Sequence, residues 1–140
     1  MAGYVLDSYA LLAYLQKESG GERVNELLVK ALKKQATVLL SEISLGEVYY
    51  ILIRALGLEE AKIILAHILA LPMTIALVSR DDVLAAAQFK ARGAISYADC
   101  FVVALAAKTH ATIVTGDREF RTFEKDVDIL WIDNESAAAE

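Results

Sequence analysis

Gly3-Tyr4-Val5-Leu6-Asp7 is the stretch that decides how this chain reads. A short apolar run stops at a carboxylate, and Ser8 then opens a helical pattern. Apolar runs of this length bounded by a turn read as strands buried on both faces. In open parallel sheets, chemistry collects beyond the carboxyl ends of such strands, which is where Asp7 stands. Thr112-Ile113-Val114-Thr115-Gly116-Asp117 repeats the pattern: β-branched strand, glycine turn, aspartate.

Between these two stretches, strand and helix patterns alternate. Helices are expected from Ser8 to Lys17, Glu22 to Gln35, Ser44 to Gly57, Leu58 or Glu59 to before Pro72, after Ser79 to Gly93, and after Ser96 to Thr109. Val24, Leu27, Leu28, Ala31 and Leu32 form one apolar stripe on the second of them. Further strands are expected at 37–40, 74–78, 112–115 and 128–132. Strands separated by helices predict an α/β fold, a mostly parallel central sheet of four to five strands with helices on both faces. Residues 1–133 are read as one domain and 134–140 as a frayed tail.

Composition narrows the function. A 140-residue chain that is 56% hydrophobic and 24% charged is a folded domain with a sizeable core. The longest weakly charged run, Ile63 to Val78, holds His67 and Pro72 and is too short for a bilayer span. No basic flank precedes an apolar stretch, so no signal peptide is expected and the cytoplasm is the default location. Cys100 is the single cysteine, and two separated histidines complete no zinc ligand set. The net charge of −5 argues against grip on nucleic acid by phosphate neutralisation alone. Local basic groups such as Arg118 and Arg121 would have to help, although the ordinary reading of any single basic cluster is a solvated helix face.

Two more acids complete an ordered set. Asp99 opens the apolar helix Ser96-Tyr97-Ala98-Asp99-Cys100-Phe101-Val102-Val103, and Glu47 lies in Ser44-Leu45-Gly46-Glu47-Val48. Taken singly, each fits a capping box, Ser96-x-x-Asp99 or Ser44-x-x-Glu47. Taken together with Asp7 and Asp117, they place four acids at strand or helix ends. Carboxylates in contact repel by roughly 4 kcal/mol per pair near a surface, so a fold keeps them together where a cation neutralises them. Oxygen ligands without imidazole or thiolate favour Mg²⁺ or Mn²⁺.

In its motifs the chain resembles the PIN-domain family, and in size and layout the VapC-type toxin ribonucleases of toxin–antitoxin pairs. The matching segments are Val5-Leu6-Asp7-Ser8 with Leu11-Leu12-Ala13-Tyr14-Leu15, Ser41-Glu42-Ile43-Ser44-Leu45-Gly46-Glu47-Val48, Ser96-Tyr97-Ala98-Asp99, and Ile113-Val114-Thr115-Gly116-Asp117-Arg118-Glu119-Phe120. The resemblance implies a three-layer α/β/α fold and metal-dependent hydrolysis of RNA phosphodiesters, leaving 5′-phosphate and 3′-hydroxyl ends. Asp7, Asp99 and Asp117 would hold Mg²⁺ or Mn²⁺, with Glu47 joining directly or through water. Ser8 and Thr115 would orient the carboxylates. Glu119 stands where many members carry an aspartate; with its longer side chain it would act behind the ligands, alongside Ser8 and Thr115. Glu42 competes with Glu47 for the second position.

Other acid-bearing α/β families match less well. A haloacid-dehalogenase-type phosphatase needs an aspartate where Tyr9 stands, and a phosphorelay receiver needs an acidic pair beside its first strand. An RNA-processing nuclease that is not a toxin, and a non-catalytic interaction module, remain as rivals. The resemblance further implies a small antitoxin that blocks the acidic site. Consecutive apolar residues from Tyr49 to Ile53, and again at Ile63-Ile64-Leu65 and Ile68-Leu69, cannot all turn inward, which predicts a homodimer.

Overall fold

The computed structural model describes residues 1–133; the tail expected at 134–140 lies outside them. The elements run β1 (Ala2–Leu6), α1 (Ser8–Leu15), α2 (Gly21–Leu32), β2 (Ala36–Ser41), α3 (Glu42–Leu56), α4 (Leu58–Leu69), β3 (Thr74–Ala76), α5 (Arg80–Ala91), α6 (Tyr97–Thr109), β4 (Thr112–Thr115), a 3-10 segment (Arg118–Phe123) and β5 (Ile129–Trp131). The five strands form one sheet in the order β3-β2-β1-β4-β5, and every described pairing is parallel.

Alternation along the strands divides the core into two layers. Leu6, Val38, Leu40 and Val114 point to one face and pack with α1, α2, α3 and α4. Val5 and Ile113 point to the other, where Cys100, Phe101, Val103, Phe120 and Phe123 cover them. A strand buried on both faces has to be apolar at every position, and this is why the sequence around Val5 and Ile113 reads as unbroken runs. The result is the expected three-layer α/β/α arrangement.

The strand order sets the position of the site. From β1 the chain winds outward through β2 and β3, then returns to lay β4 on the opposite edge of β1. The topology therefore reverses between β1 and β4, and it is beyond the carboxyl ends at such a reversal that open parallel sheets form a crevice. Leu6 pairs with Val114 in register, so Asp7 emerges beside Thr115 and just before Gly116-Asp117.

Two local expectations need correction. Helix α3 starts at Glu42, with Ser41 as its cap, and not at Ser44. Ser41 Oγ accepts the Ile43 N–H at 3.1 Å. Ser44 is buried inside the helix, so the Ser44-x-x-Glu47 capping box does not exist. The segment Arg118–Phe123, unassigned from sequence, is a 3-10 turn that sinks Phe120 and Phe123 into the core. By contrast the cap at Ser79 forms as read, with Asp82 returning the bond to the Ser79 N–H at 2.9 Å.

Candidate metal centre

Asp7 is a buried helix cap before it is anything else. Its Oδ1 accepts the Ala10 N–H at 2.8 Å, and its Oδ2 accepts the Thr115 hydroxyl. With 2% of its surface exposed, the carboxyl is pushed up to about 8. Burial is the main cause, the bonds from Thr115 and Ala10 oppose it, and the charges of Asp99 and Asp117 add to it. Thr115 is fully buried and works in two directions, since its Oγ1 also accepts the Asp117 N–H at 2.9 Å. Asp117 in turn accepts the Glu119 N–H at 3.0 Å and so caps the 3-10 segment.

Asp99 comes from the first turn of α6, on the far side of the crevice. The Ser96 hydroxyl accepts its N–H at 3.2 Å. Its own carboxyl is held up at about 6, first by burial and then, against the Ser96 bond, by the charges of Glu47, Asp117 and Glu119. Carboxylate oxygens of Asp99, Asp117 and Glu119 all lie within 4.8 Å of one another. Glu47 projects from α3 toward Asp99, and its Oε1 accepts the Ser8 hydroxyl.

The structure thus collects the four acids nominated from sequence, in an arrangement that sequence did not give. Glu119, expected behind the ligands, is one of the three carboxylates whose oxygens lie within 4.8 Å of one another. Asp7 sits beneath them, with a hydrogen bond on each oxygen. Glu47, not Glu42, faces the cluster; the Glu42 carboxylate is exposed and accepts the Val78 N–H at 3.4 Å. Arg118 lies at the rim, where two nitrogens donate to Asp133 at 3.2 and 3.1 Å and the guanidinium covers the Trp131 ring at 4.6 Å. Arg121 is exposed on the 3-10 segment.

A family model for the PIN domain matches residues 4–126. The chain belongs to the PIN domain family. Solved structures similar to this PIN domain include VapBC2 from Rickettsia felis bound to a promoter DNA fragment, at 19% identity and a TM-score of 0.74, covering 94% of this chain and 99% of the other. DNA-bound VapBC from Salmonella typhimurium matches at 17% identity and a TM-score of 0.70, covering 93% and 98%. VapC20 of Mycobacterium tuberculosis, a sarcin–ricin-loop-cleaving toxin, matches at 22% identity and a TM-score of 0.67, covering 84% and 92%. At these identities the likeness is one of fold. No curated protein sequence matches this PIN domain.

The donor chemistry fits a hard divalent cation. Asp99, Asp117 and Glu119 offer oxygen alone, and burial with the charges of its neighbours makes ionised Asp99 costly without a counter-charge. Thr115 is the element that ties Asp7 to Asp117. Thr115→Val keeps its shape but removes both bonds, and is expected to cost about 1–3 kcal/mol. Urea titration checks this, and a change under 0.5 kcal/mol would mean that water replaces the hydroxyl.

Proposed function

We propose that this PIN domain is a metal-dependent endoribonuclease and the toxin of a toxin–antitoxin pair. The observation that carries this reading is the convergence of Asp99, Asp117 and Glu119 over Asp7 at the sheet's reversal point. Asp99, Asp117 and Glu119 would hold Mg²⁺ or Mn²⁺. When bound, the cation supplies positive charge for the phosphate oxygens and makes a water more acidic. Asp7, fixed by Thr115 and Ala10, lies buried behind these three and gives up its proton as a cation binds. Glu47 has one oxygen held by Ser8, which leaves the other to accept a proton from the attacking water. The similar structures support the substrate class, because one of them is a toxin that cleaves the sarcin–ricin loop.

Incubation of purified protein with single-stranded RNA and millimolar Mg²⁺ or Mn²⁺ tests the reading. Cleavage that chelator stops and Asp99→Asn abolishes is the expected result. Intact RNA, with metal binding retained, would favour the non-catalytic interaction module.

An antitoxin partner and a homodimer belong to the same proposal. A toxin–antitoxin complex from Klebsiella pneumoniae and a member of the VapBC family of toxin–antitoxin systems from Mycobacterium tuberculosis are also similar in fold, which supports the first. Tyr50, Leu56, Leu58, Ile63 and Leu69 are exposed on α3, α4 and the residues beside them, which supports an apolar contact face. A cavity of about 750 Å³, lined by Tyr14, Leu15, Asn25, His67 and Leu71 among others, is wide enough for side chains of an antitoxin segment. Among the described residues, no helix is long and apolar enough to cross a membrane. This is compatible with the proposed cytoplasmic location. Light scattering at tens of micromolar, a concentration range set by weak-interface affinities, is expected to give a dimer for the wild type and a monomer for Ile63→Glu. A wild type that stays monomeric at every accessible concentration would remove the homodimer.

A further inference from the structure

One aromatic residue at the site takes no part in holding the carboxylates. Tyr9 follows Ser8 in the first turn of α1, and its residue surface is 41% exposed at the edge of the carboxylate cluster. Its ring packs on Gly116, between Thr115 and Asp117. A Cβ added there would lie 2.3 Å from Tyr9 Cε1 and 2.8 Å from its hydroxyl oxygen. Gly116 has ordinary negative φ, so the glycine answers to the ring and not to the backbone. Among the described residues, no second ring and no cation is stacked on Tyr9.

Its charged surroundings say what such a ring is good for. The carboxylates whose charge reaches the phenol are Asp133, Glu18 and Asp117 at the surface and the buried Asp7. A rim of that sign repels the phosphates of an approaching strand, and the neighbouring Arg118 is already bidentate to Asp133 and stacked on Trp131. The bases of a single strand carry no such charge, and each has a π face that an exposed aromatic can take up.

We infer that Tyr9 is the base-stacking residue of this site, holding one nucleobase of single-stranded RNA so that the adjoining phosphate is set against the carboxylates. The inference rests on the nuclease reading and adds a positioning residue to it. Because the ring is fixed at one spot relative to Asp117, a single base beside the scissile phosphate is the one it holds.

The test is a cycle between protein and RNA. A short single-stranded oligoribonucleotide that the wild type cleaves is compared with versions lacking one base at successive positions. Tyr9→Ala is expected to raise KM roughly tenfold, in line with base–aromatic stacking elsewhere, with a smaller change in kcat. Tyr9→Phe stays near wild type. Removing the stacked base costs the same factor and makes Tyr9→Ala silent. Gly116→Ala, which forces the ring aside, gives a similar KM rise alone and no further rise in the Tyr9→Ala background. A Tyr9→Ala penalty that persists on every abasic oligonucleotide, or that falls on kcat alone, overturns the inference. Failure of the nuclease reading looks different, because then the wild type cleaves no RNA at all. In that case binding of a short single-stranded RNA with 2-aminopurine placed at successive positions decides, in Mg²⁺ buffer. Quenching by the wild type that is lost in Tyr9→Ala upholds stacking, and equal fluorescence with both proteins overturns it.

Discussion

Asp7→Asn is expected to abolish RNA cleavage and, in metal-free buffer, to make the protein more stable. The two effects share a cause. Folded Asp7 titrates at about 8 against an ordinary value of 3.8. A carboxyl whose folded value is raised stabilises the fold below its unfolded value and loses that contribution as the pH climbs through the folded one. Metal-free wild type should therefore lose stability steadily between about pH 4 and pH 8. At about 1.4 kcal/mol per unit, ionised Asp7 costs roughly 3–6 kcal/mol by pH 9. Asn accepts the Ala10 N–H without a charge to bury, so its melting temperature at pH 9 should exceed that of the wild type by about 10 °C. The gap should narrow toward pH 5. Cleavage should drop by about a thousandfold, the scale for losing one preorganised electrostatic group. Thermal melts and initial rates across the pH range read both. Equal melting temperatures at pH 9 would show that Asp7 is better solvated than its burial indicates.

The second large effect is metal linkage. A cation that binds the folded chain stabilises it by mass action, about 2.7 kcal/mol at a hundred times its dissociation constant. Millimolar Mn²⁺ should raise the melting temperature of the wild type, and raise it much less in Asp117→Asn. The rise should grow with pH. Asp99 at about 6 and Asp7 at about 8 carry protons that compete with a cation, so affinity increases as these leave. Glu119→Gln separates the two accounts of that residue. A reduced shift makes it a ligand, whereas a wild-type shift returns it to the periphery. Identical Mn²⁺ shifts in the wild type and Asp117→Asn would place the ion elsewhere.

Most of the architecture was legible because buried parallel strands must be apolar throughout, and the stretches around Val5 and Ile113 are. The β1–β4 pairing could not be read this way. Periodicity marks strands but not their neighbours, and it was the pairing that made Asp7 and Asp117 adjacent. The start of α3 was misread for a local reason. Ser41 and Ser44 are both plausible caps, and only the burial of Ser44 decides between them. The approach of Glu119 to Asp99 and Asp117 was not legible, because reach was judged from side-chain length. The 3-10 segment turns that side chain back toward Asp117, a geometry invisible in a six-residue stretch with two core phenylalanines. Gly116 carried a signal that went unused: a glycine between two functional residues can mark where a side chain, here Tyr9, needs room.

The strand order also bears on how the protein is made. Asp7 and Thr115 are 108 positions apart, and the sheet joins them directly. During synthesis β1, β2 and β3 leave the ribosome well before β4, so the inner edge of β1 waits unpaired while most of the chain is translated. Until β4 closes on it, Asp7 has neither its Thr115 bond nor Asp117 nearby, and the carboxylate cluster does not exist. A nascent or truncated chain ending before residue 112 would therefore carry an open, apolar strand edge and no cluster. Such a chain is prone to aggregate before it is capable of any chemistry at this site.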